Sequence, residues 1–374
     1  HSKERGGIMV INIGFNKKKL GVAVIGSGRI GTHRARLAAL HSAVTYLVVG
    51  DINEEAAKKL ADLTNASRYS TDALSLINDP RVDVVIVSTP EDAHAFSVEA
   101  AINAGKSVLV EKPLALTIED GDRLANLARE KGVDLRIGYS QRFLQKYFVA
   151  RDEISRGKIG PILGGMTRVY NTRTNMLAIL KRCPEATPIL DIITYNVDYI
   201  GWCLGPDVVP VEVQAMGYGT VFRDQGYDVD DISLTMVKYS TGAVFSFDIC
   251  YALPGGFPTT GQSVRMEIMG RDGVVLIDDD HRDQILYTEH GYENAYAKDQ
   301  KLNLAFLGSR SSGEWADGQM FGRIADETRE WLDSQSTGAK CHLTTAEEAR
   351  QTLKVTLAMG VASETGQPIP LANI

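Results

Sequence analysis

Gly26-Ser27-Gly28-Arg29-Ile30-Gly31, with an acid at Asp51, is the stretch of this chain whose chemistry is most legible. The six residues follow the apolar run Val22-Ala23-Val24-Ile25 and open a helical pattern from Thr32 to Leu40. A second apolar run, Tyr46-Leu47-Val48-Val49, ends in Gly50-Asp51, twenty residues past Gly31. A G-x-G-x-x-G alone says little. Set between strand and helix and followed by a strand-end acid, it spells a dinucleotide-binding turn. Gly26 permits the tight turn, Gly28 lets the backbone approach a pyrophosphate, and Gly31 lets helix and strand pack closely. Ser27, Arg29 and Ile30 complete the loop, whose unpaired N–H groups and positive helix end suit phosphate. Asp51 suits the adenosine ribose hydroxyls, and its charge disfavours a 2′-phosphate, so NAD is expected rather than NADP. A glycine-rich turn that binds nothing would fit the six residues but not their setting.

Lys112 is the sharpest catalytic candidate. Pro113 restricts it to extended backbone, at the end of the apolar run Ser107–Val110. An ammonium held there can hydrogen-bond a substrate oxygen and stabilise charge developing on it. By itself, a Lys-Pro pair reads as readily as a surface lysine. Asp191, Tyr195 and Asp198 are spaced i, i+4, i+7 in the apolar stretch Ile189–Leu204 and so share one helix face. A polar stripe on a buried helix needs partners. Tyr195 beside a cationic Lys112 would have its phenolate stabilised, which suits a proton acceptor. Asp191 also fits a first-turn helix acid, and Tyr195 a buried aromatic with one satisfied hydroxyl. His33 reads as packing on the first helix. His281, in Asp278-Asp279-Asp280-His281, lacks a second ligand pair of matching spacing, so a solvated turn and no metal site is expected.

These residues need elements to hold them. Apolar runs at Gly21–Ile25, Thr45–Val49, Val82–Val87, Ser107–Val110 and Val133–Tyr139 alternate with helical patterns, which implies a parallel sheet with right-handed crossovers. Four segments then meet at the strands' carboxyl ends: the glycine loop; Ser88-Thr89-Pro90 with His94; Glu111-Lys112-Pro113; and Gly138–Phe143, which contains Gln141 and Arg142. After about residue 142 long β patterns follow one another with only turns between, as at Ile162–Asn171, Val209–Gly217, Asp231–Tyr239 and Ala243–Tyr251. Such hairpins imply a large, mostly antiparallel sheet. Apolar helices at Ile189–Leu204 and Gln319–Ser334 would cover one face, and a last helix, Thr345–Thr365, precedes a short tail strand. The fold class is therefore α/β: a Rossmann domain over 9–142, then an α+β domain over 143–374 for substrate binding and oligomerisation. A homodimer or homotetramer is expected, because the sheet's other face also needs cover.

Composition narrows the partners. The 374 residues carry a net charge of −7, and no basic run exceeds Lys17-Lys18-Lys19, so neither nucleic acid nor a membrane surface is expected. No apolar run approaches a membrane span. His1 to about Ile8 reads as a frayed arm, without the apolar core of a secretory signal, and a cytoplasmic protein with four reduced cysteines is expected.

In order along the chain, the glycine loop, Asp51, Ser88-Thr89-Pro90 with His94, Ala104-Gly105-Lys106, Glu111-Lys112-Pro113-Leu114 and Gln141-Arg142-Phe143 resemble the glucose–fructose oxidoreductase / inositol dehydrogenase / rhizopine-catabolism (Gfo/Idh/MocA) family. Ile159-Gly160-Pro161-Ile162 and Thr365-Gly366-Gln367-Pro368 fit as well, so the likeness runs from about Leu20 to Leu371. The resemblance implies an NAD(P)-dependent dehydrogenase that oxidises a secondary alcohol of a sugar, cyclitol or cyclic dihydrodiol, or runs the reverse. It makes Lys112 the family lysine and Asp191 the acid of an Asp-x-x-x-His helix. Here Tyr195 replaces that His, as in the Tyr-bearing members. Pro184-Glu185-Ala186-Thr187-Pro188 replaces the usual Gly-Gly-Gly, which argues against an ordinary hexose. Arg168, Arg173, Lys181 and Arg182 lie near that loop in sequence and could receive a carboxylate; solvated charges explain them as well. Two rivals share the resemblance. One is an NAD-dependent glycoside hydrolase that oxidises transiently. The other is a non-catalytic dinucleotide sensor, against which the presence of both Lys112 and Tyr195 argues.

Overall fold

The computed structural model describes residues 17–181, 183, 186–255, 257, 263–279, 285–293, 301–306 and 312–373. His281 and its neighbour Asp280, like Arg182, Pro184 and Glu185, lie outside the described residues.

Six parallel strands form the first sheet: β1 (Leu20–Ile25), β2 (Val44–Gly50), β3 (Arg68–Ser70), β4 (Val84–Val87), β5 (Ser107–Glu111) and β6 (Leu135–Gly138). Their order is β6-β5-β4-β1-β2-β3, with Thr344–Thr345 added antiparallel beyond β6. β1 and β4 are buried throughout, because helices cover both sheet faces. The crossovers are α1 (Arg29–Leu40), α2 (Glu54–Thr64), α3 (Ala73–Ile77), α4 (His94–Asn103) and α5 (Ile118–Lys131). The strand order reverses between β1 and β4, and the crevice for a ligand opens there at the carboxyl ends. Only the short edge strand β3 escapes the hydrophobic pattern.

The second sheet has β7 (Ile162–Thr172), β8 (Pro210–Tyr218), β9 (Ile232–Tyr239), β10 (Val244–Leu253), β11 (Ser263–Gly270) and β12 (Val274–Asp278), in the order β12-β11-β7-β10-β9-β8 and closed by Ile369–Pro370. Only β7 and β10 pair in parallel; the other pairs are antiparallel. α6 (Gln145–Ser155) precedes this sheet and α7 (Arg173–Leu180) follows β7. A π-helical turn, Ile189–Ile193, leads into α8 (Thr194–Leu204). Val197 and Ile200 of α8 share one core with Val213, Val237, Phe245 and Phe247 of the sheet. The opposite face is exposed and apolar, with Leu163, Met166, Met216, Tyr218, Leu234, Met236 and Leu276.

One expected helix is corrected. Gln319–Phe321 is a short strand paired with Glu314–Ala316, Gly322 takes φ +105°, and α9 (Arg323–Thr337) begins only then. Nor does α9 cover the second sheet. Ile324 and Ala325 pack with Leu37 of α1, and Trp331 and Leu332 enter the core around β1. Two sheets offered equivalent apolar cover, and the sequence pattern could not choose between them. α10 (Ala346–Thr365) starts at a capping box made by Thr345 and Glu348. Among the described residues no helix is long and apolar enough to cross a membrane.

Candidate active site

The glycine loop has the geometry its residues require. Gly26 takes φ +102°, and a Cβ there would lie 2.4 Å from the Ser88 carbonyl oxygen. A Cβ on Gly31 would lie 1.9 Å from the Gly26 carbonyl oxygen, so helix and turn touch through hydrogen alone. At Gly28 a Cβ would meet nothing within 4 Å. The space before α1 is open, and no acidic residue or capping side chain occupies the helix start. Asp51 Oδ2 accepts from the Ser27 N–H at 2.7 Å and Oδ1 from the Asn53 N–H at 2.9 Å, which fixes the carboxylate beside the loop. Ser88 Oγ and Thr89 Oγ1 are buried without a partner in the neighbouring loop. An open cradle, a bare helix N-terminus and a fixed strand-end carboxylate fit a dinucleotide.

Lys112 follows directly on β5 and enters the cleft. Its Nζ donates to the main-chain oxygen of Asp191 at 2.7 Å and to Asp191 Oδ1 at 3.3 Å. Tyr251, from β10, donates its hydroxyl to Asp191 Oδ2. Burial works against the Lys112 ammonium, but Asp191, Tyr195 and Glu91 outweigh it and hold its pKa above the ordinary range. The Tyr195 ring meets two cations, with Lys112 Nζ 5.7 Å and the Arg323 guanidinium carbon 4.9 Å from its centroid. Tyr139 packs edge-on against it at 5.9 Å. Among the described residues nothing hydrogen-bonds the Tyr195 hydroxyl. The expected lowering of its pKa is corrected: burial pushes it up, and the pull of Lys112 and Arg323 does not cancel that rise.

Asp198 does not join this group. The π turn holds more residues than an α turn, so an α-helical projection from Asp191 fails through it. Asp198 instead takes a fork from Arg142, with Nε and Nη2 each at 2.7 Å, and accepts from Thr344 Oγ1 at 2.9 Å. Gln141 donates to Asn196 Oδ1 at 2.8 Å, and the Tyr139 hydroxyl meets Thr194 Oγ1 at 3.1 Å. The segment after β6 is thus sewn to α8. Gln141 and Arg142, expected at the cofactor, are buried in that seam.

His94, also expected at the cofactor, is held in a similar way. It is 1 % exposed, with Nδ1 2.9 Å from the Pro113 carbonyl oxygen and Nε2 3.0 Å from that of Thr89. It fastens the loop after β4 to the loop after β5, and so positions Thr89, Pro90 and Lys112. Glu111 is also diverted: Arg34 Nε donates to its Oε1 at 2.9 Å, while Arg34 Nη2 binds Glu327. Burial raises the Glu327 carboxyl to about 7, against the pull of Arg34. His33 accepts from Trp315 Nε1 at 3.0 Å, and burial together with nearby arginines lowers it to about 4.

Sequence reasoning did not find Arg34, Tyr251, Arg323 or Glu327. The signal for three of them was present: Arg34 sits among Ala35, Leu37 and Ala38 on an apolar helix face, and Arg323 and Glu327 stand four apart beside Ile324, Trp331 and Leu332. Charge on a buried face implies a partner.

A doubly wound sheet with a phosphate-cradling turn, a strand-end aspartate and a lysine in the crevice defines a nicotinamide-dinucleotide-dependent oxidoreductase. Residues 20–139 match the oxidoreductase family's NAD-binding Rossmann fold, and residues 151–371 match its C-terminal alpha/beta domain. The chain belongs to the Gfo/Idh/MocA family of NAD-dependent dehydrogenases. It is 28% identical over 258 residues to the scyllo-inositol 2-dehydrogenase (NAD(+)) of Bacillus subtilis, covering 68% of this chain and 72% of that one. An inositol 2-dehydrogenase of Acidothermus cellulolyticus is 30% identical over 259 residues, with the same shares covered. The fold superposes on a Lactobacillus casei scyllo-inositol dehydrogenase, solved with NAD(H) and scyllo-inositol, at a TM-score of 0.77 and 20% identity, covering 95% of this chain and all of that one.

Proposed function

We propose that the protein oxidises a secondary alcohol of a cyclitol or related polyol, and that Lys112, Asp191 and Tyr195 carry the chemistry. The supporting observation is the double hydrogen bond from Lys112 to Asp191 beside a Tyr195 hydroxyl that has no hydrogen-bond partner among the described residues, at the carboxyl edge of the dinucleotide-binding sheet. Lys112 orients the carbinol oxygen and stabilises the charge that develops on it. Tyr195 accepts the hydroxyl proton, with two cations supporting the phenolate formed. Asp191, steadied by Tyr251, aims the ammonium. The bound dinucleotide supplies the hydride-accepting carbon. The loop and strand-end residues Gly26, Ser27, Gly28, Arg29, Ile30, Gly31 and Asp51 hold it, with Ser88, Thr89 and Pro90 alongside. Inositols lead the substrate list because the similar proteins named above act on them.

The test is a screen of inositols, other polyols, sugars and cyclic dihydrodiols for steady NADH formation at 340 nm (an assay wavelength). Net NADH from a polyol supports the reading. Glycoside cleavage without net NADH would assign the hydrolase chemistry instead, and NADH binding with no turnover on the whole panel would assign a sensor.

A further inference from the structure

We propose that Arg323 receives an oxyanion carried into the cleft by a bound molecule, either the carboxylate of an acidic polyol or the diphosphate of the dinucleotide. Arg323 is 6 % exposed, yet among the described residues it makes no hydrogen bond, and no carboxylate lies within 4.0 Å of it. A guanidinium stays charged at any working pH, and burying one without a hydrogen-bonding anion is costly. The nearby acids turn to another arginine: Glu111 and the Oε2 of Glu327, one turn along, both bind Arg34, and although Glu327 feels the Arg323 charge, its buried Oε1 makes no hydrogen bond to it. Of the Arg323 nitrogens only Nε is fully sealed from solvent, so the terminal pair remains reachable. The planar fork presents the donors that a carboxylate or phosphate accepts from in pairs.

Its position sets which molecules can reach it. The guanidinium lies on the ring of Tyr195, and the next residue, Ile324, packs with Ile30 of the glycine loop. Arg323 therefore stands between the reacting end of the cleft and the phosphate cradle. Two of the basic residues that sequence pointed to are engaged elsewhere: Arg173 donates twice to the Ala252 carbonyl oxygen, and Arg168 reaches Ser263 and the Tyr170 ring. For the carboxylate source, the proposal rests on the oxidoreductase reading above.

The experiment measures binding, so it needs no turnover. NADH affinity is read by fluorescence for wild type, Arg323→Met and Arg323→Lys. The NADH-loaded proteins are then titrated calorimetrically with glucuronate and with glucose. A tenfold or greater loss of glucuronate affinity in Arg323→Met, with glucose binding within twofold and Arg323→Lys between, assigns the substrate carboxylate. A tenfold or greater loss of NADH affinity, with the glucuronate-to-glucose ratio unchanged, assigns the diphosphate. NADH affinity within twofold and no selective loss of glucuronate in a folded Arg323→Met protein would overturn the proposal and leave Arg323 as a prop for Tyr195. Should Arg323→Met not fold, Arg323→Lys carries the same readings at a smaller fold-change, since it keeps the charge and loses the fork. A wild type that oxidises no polyol defeats the oxidoreductase reading without touching these titrations.

Discussion

Lys112 holds Asp191 by two acceptors at once, the main-chain oxygen at 2.7 Å and the carboxylate Oδ1 at 3.3 Å. One residue directly follows a strand of the first sheet and the other lies in the π turn that leads into the second sheet's helix. The contact therefore joins the NAD-binding Rossmann domain to the C-terminal alpha/beta domain. A mutation at either end acts on orientation as well as charge.

Tyr195→Phe should leave NAD affinity nearly intact and cut kcat about a hundredfold, the usual scale for losing a general acid–base group. Lys112→Met should cost at least as much, and the double variant little more than Lys112→Met alone, because one group works through the other. The pH profile carries the sign. The Tyr195 phenol is held above its ordinary value, so the phenolate fraction, and with it kcat, rises with pH through the alkaline range. That limb should vanish in Tyr195→Phe. Wild-type turnover in that variant, on a substrate the wild type uses well, would move the proton to another group.

NAD should be preferred to NADP by about tenfold or more in kcat/KM, because a 2′-phosphate would meet the Asp51 carboxylate with no basic residue at Ile52 or Asn53 to offset it. Asp51→Ser should erase most of that preference. Equal use of both cofactors by the wild type would remove Asp51 from this role.

Arg142→Met should destabilise the fold by about 3–5 kcal/mol, because it strands the Asp198 carboxylate in the seam between the segment after β6 and α8. Adding Asp198→Leu should recover part of the loss. Urea unfolding of the two variants checks this; a single variant within about 1 kcal/mol of wild type would show that the pair is not what closes the seam.

We expect a homodimer or homotetramer built on the exposed apolar face of the second sheet, where Met216, Tyr218, Leu234 and Met236 stand more than half exposed. Light scattering at micromolar concentration should give a multiple of 40.8 kDa. Met216→Lys with Leu234→Lys should shift it toward one chain. A wild-type monomer would count against that face as an interface.

Residues near one another in sequence settled much of this protein. The turn, helix and strand around Gly26 to Asp51, the hairpins of the second sheet and the Lys112-Pro113 strand end follow from local pattern, because glycine conformation, proline geometry and apolar alternation act over a few residues. Tertiary structure decided the rest. Whether α9 lay on the first or the second sheet depended on a choice between two similar apolar faces, and that choice delivered Arg323 to Tyr195 and, across 293 residues of chain, Glu327 to Arg34. His94, Gln141 and Arg142 have the types and placement of ligand contacts, yet their partners at Pro113, Asn196 and Asp198 hold them inside the protein. The protonation of Tyr195 was the least legible of all. It is a balance between burial and two cations that come from opposite halves of the sequence, and such a balance exists only once the chain has folded.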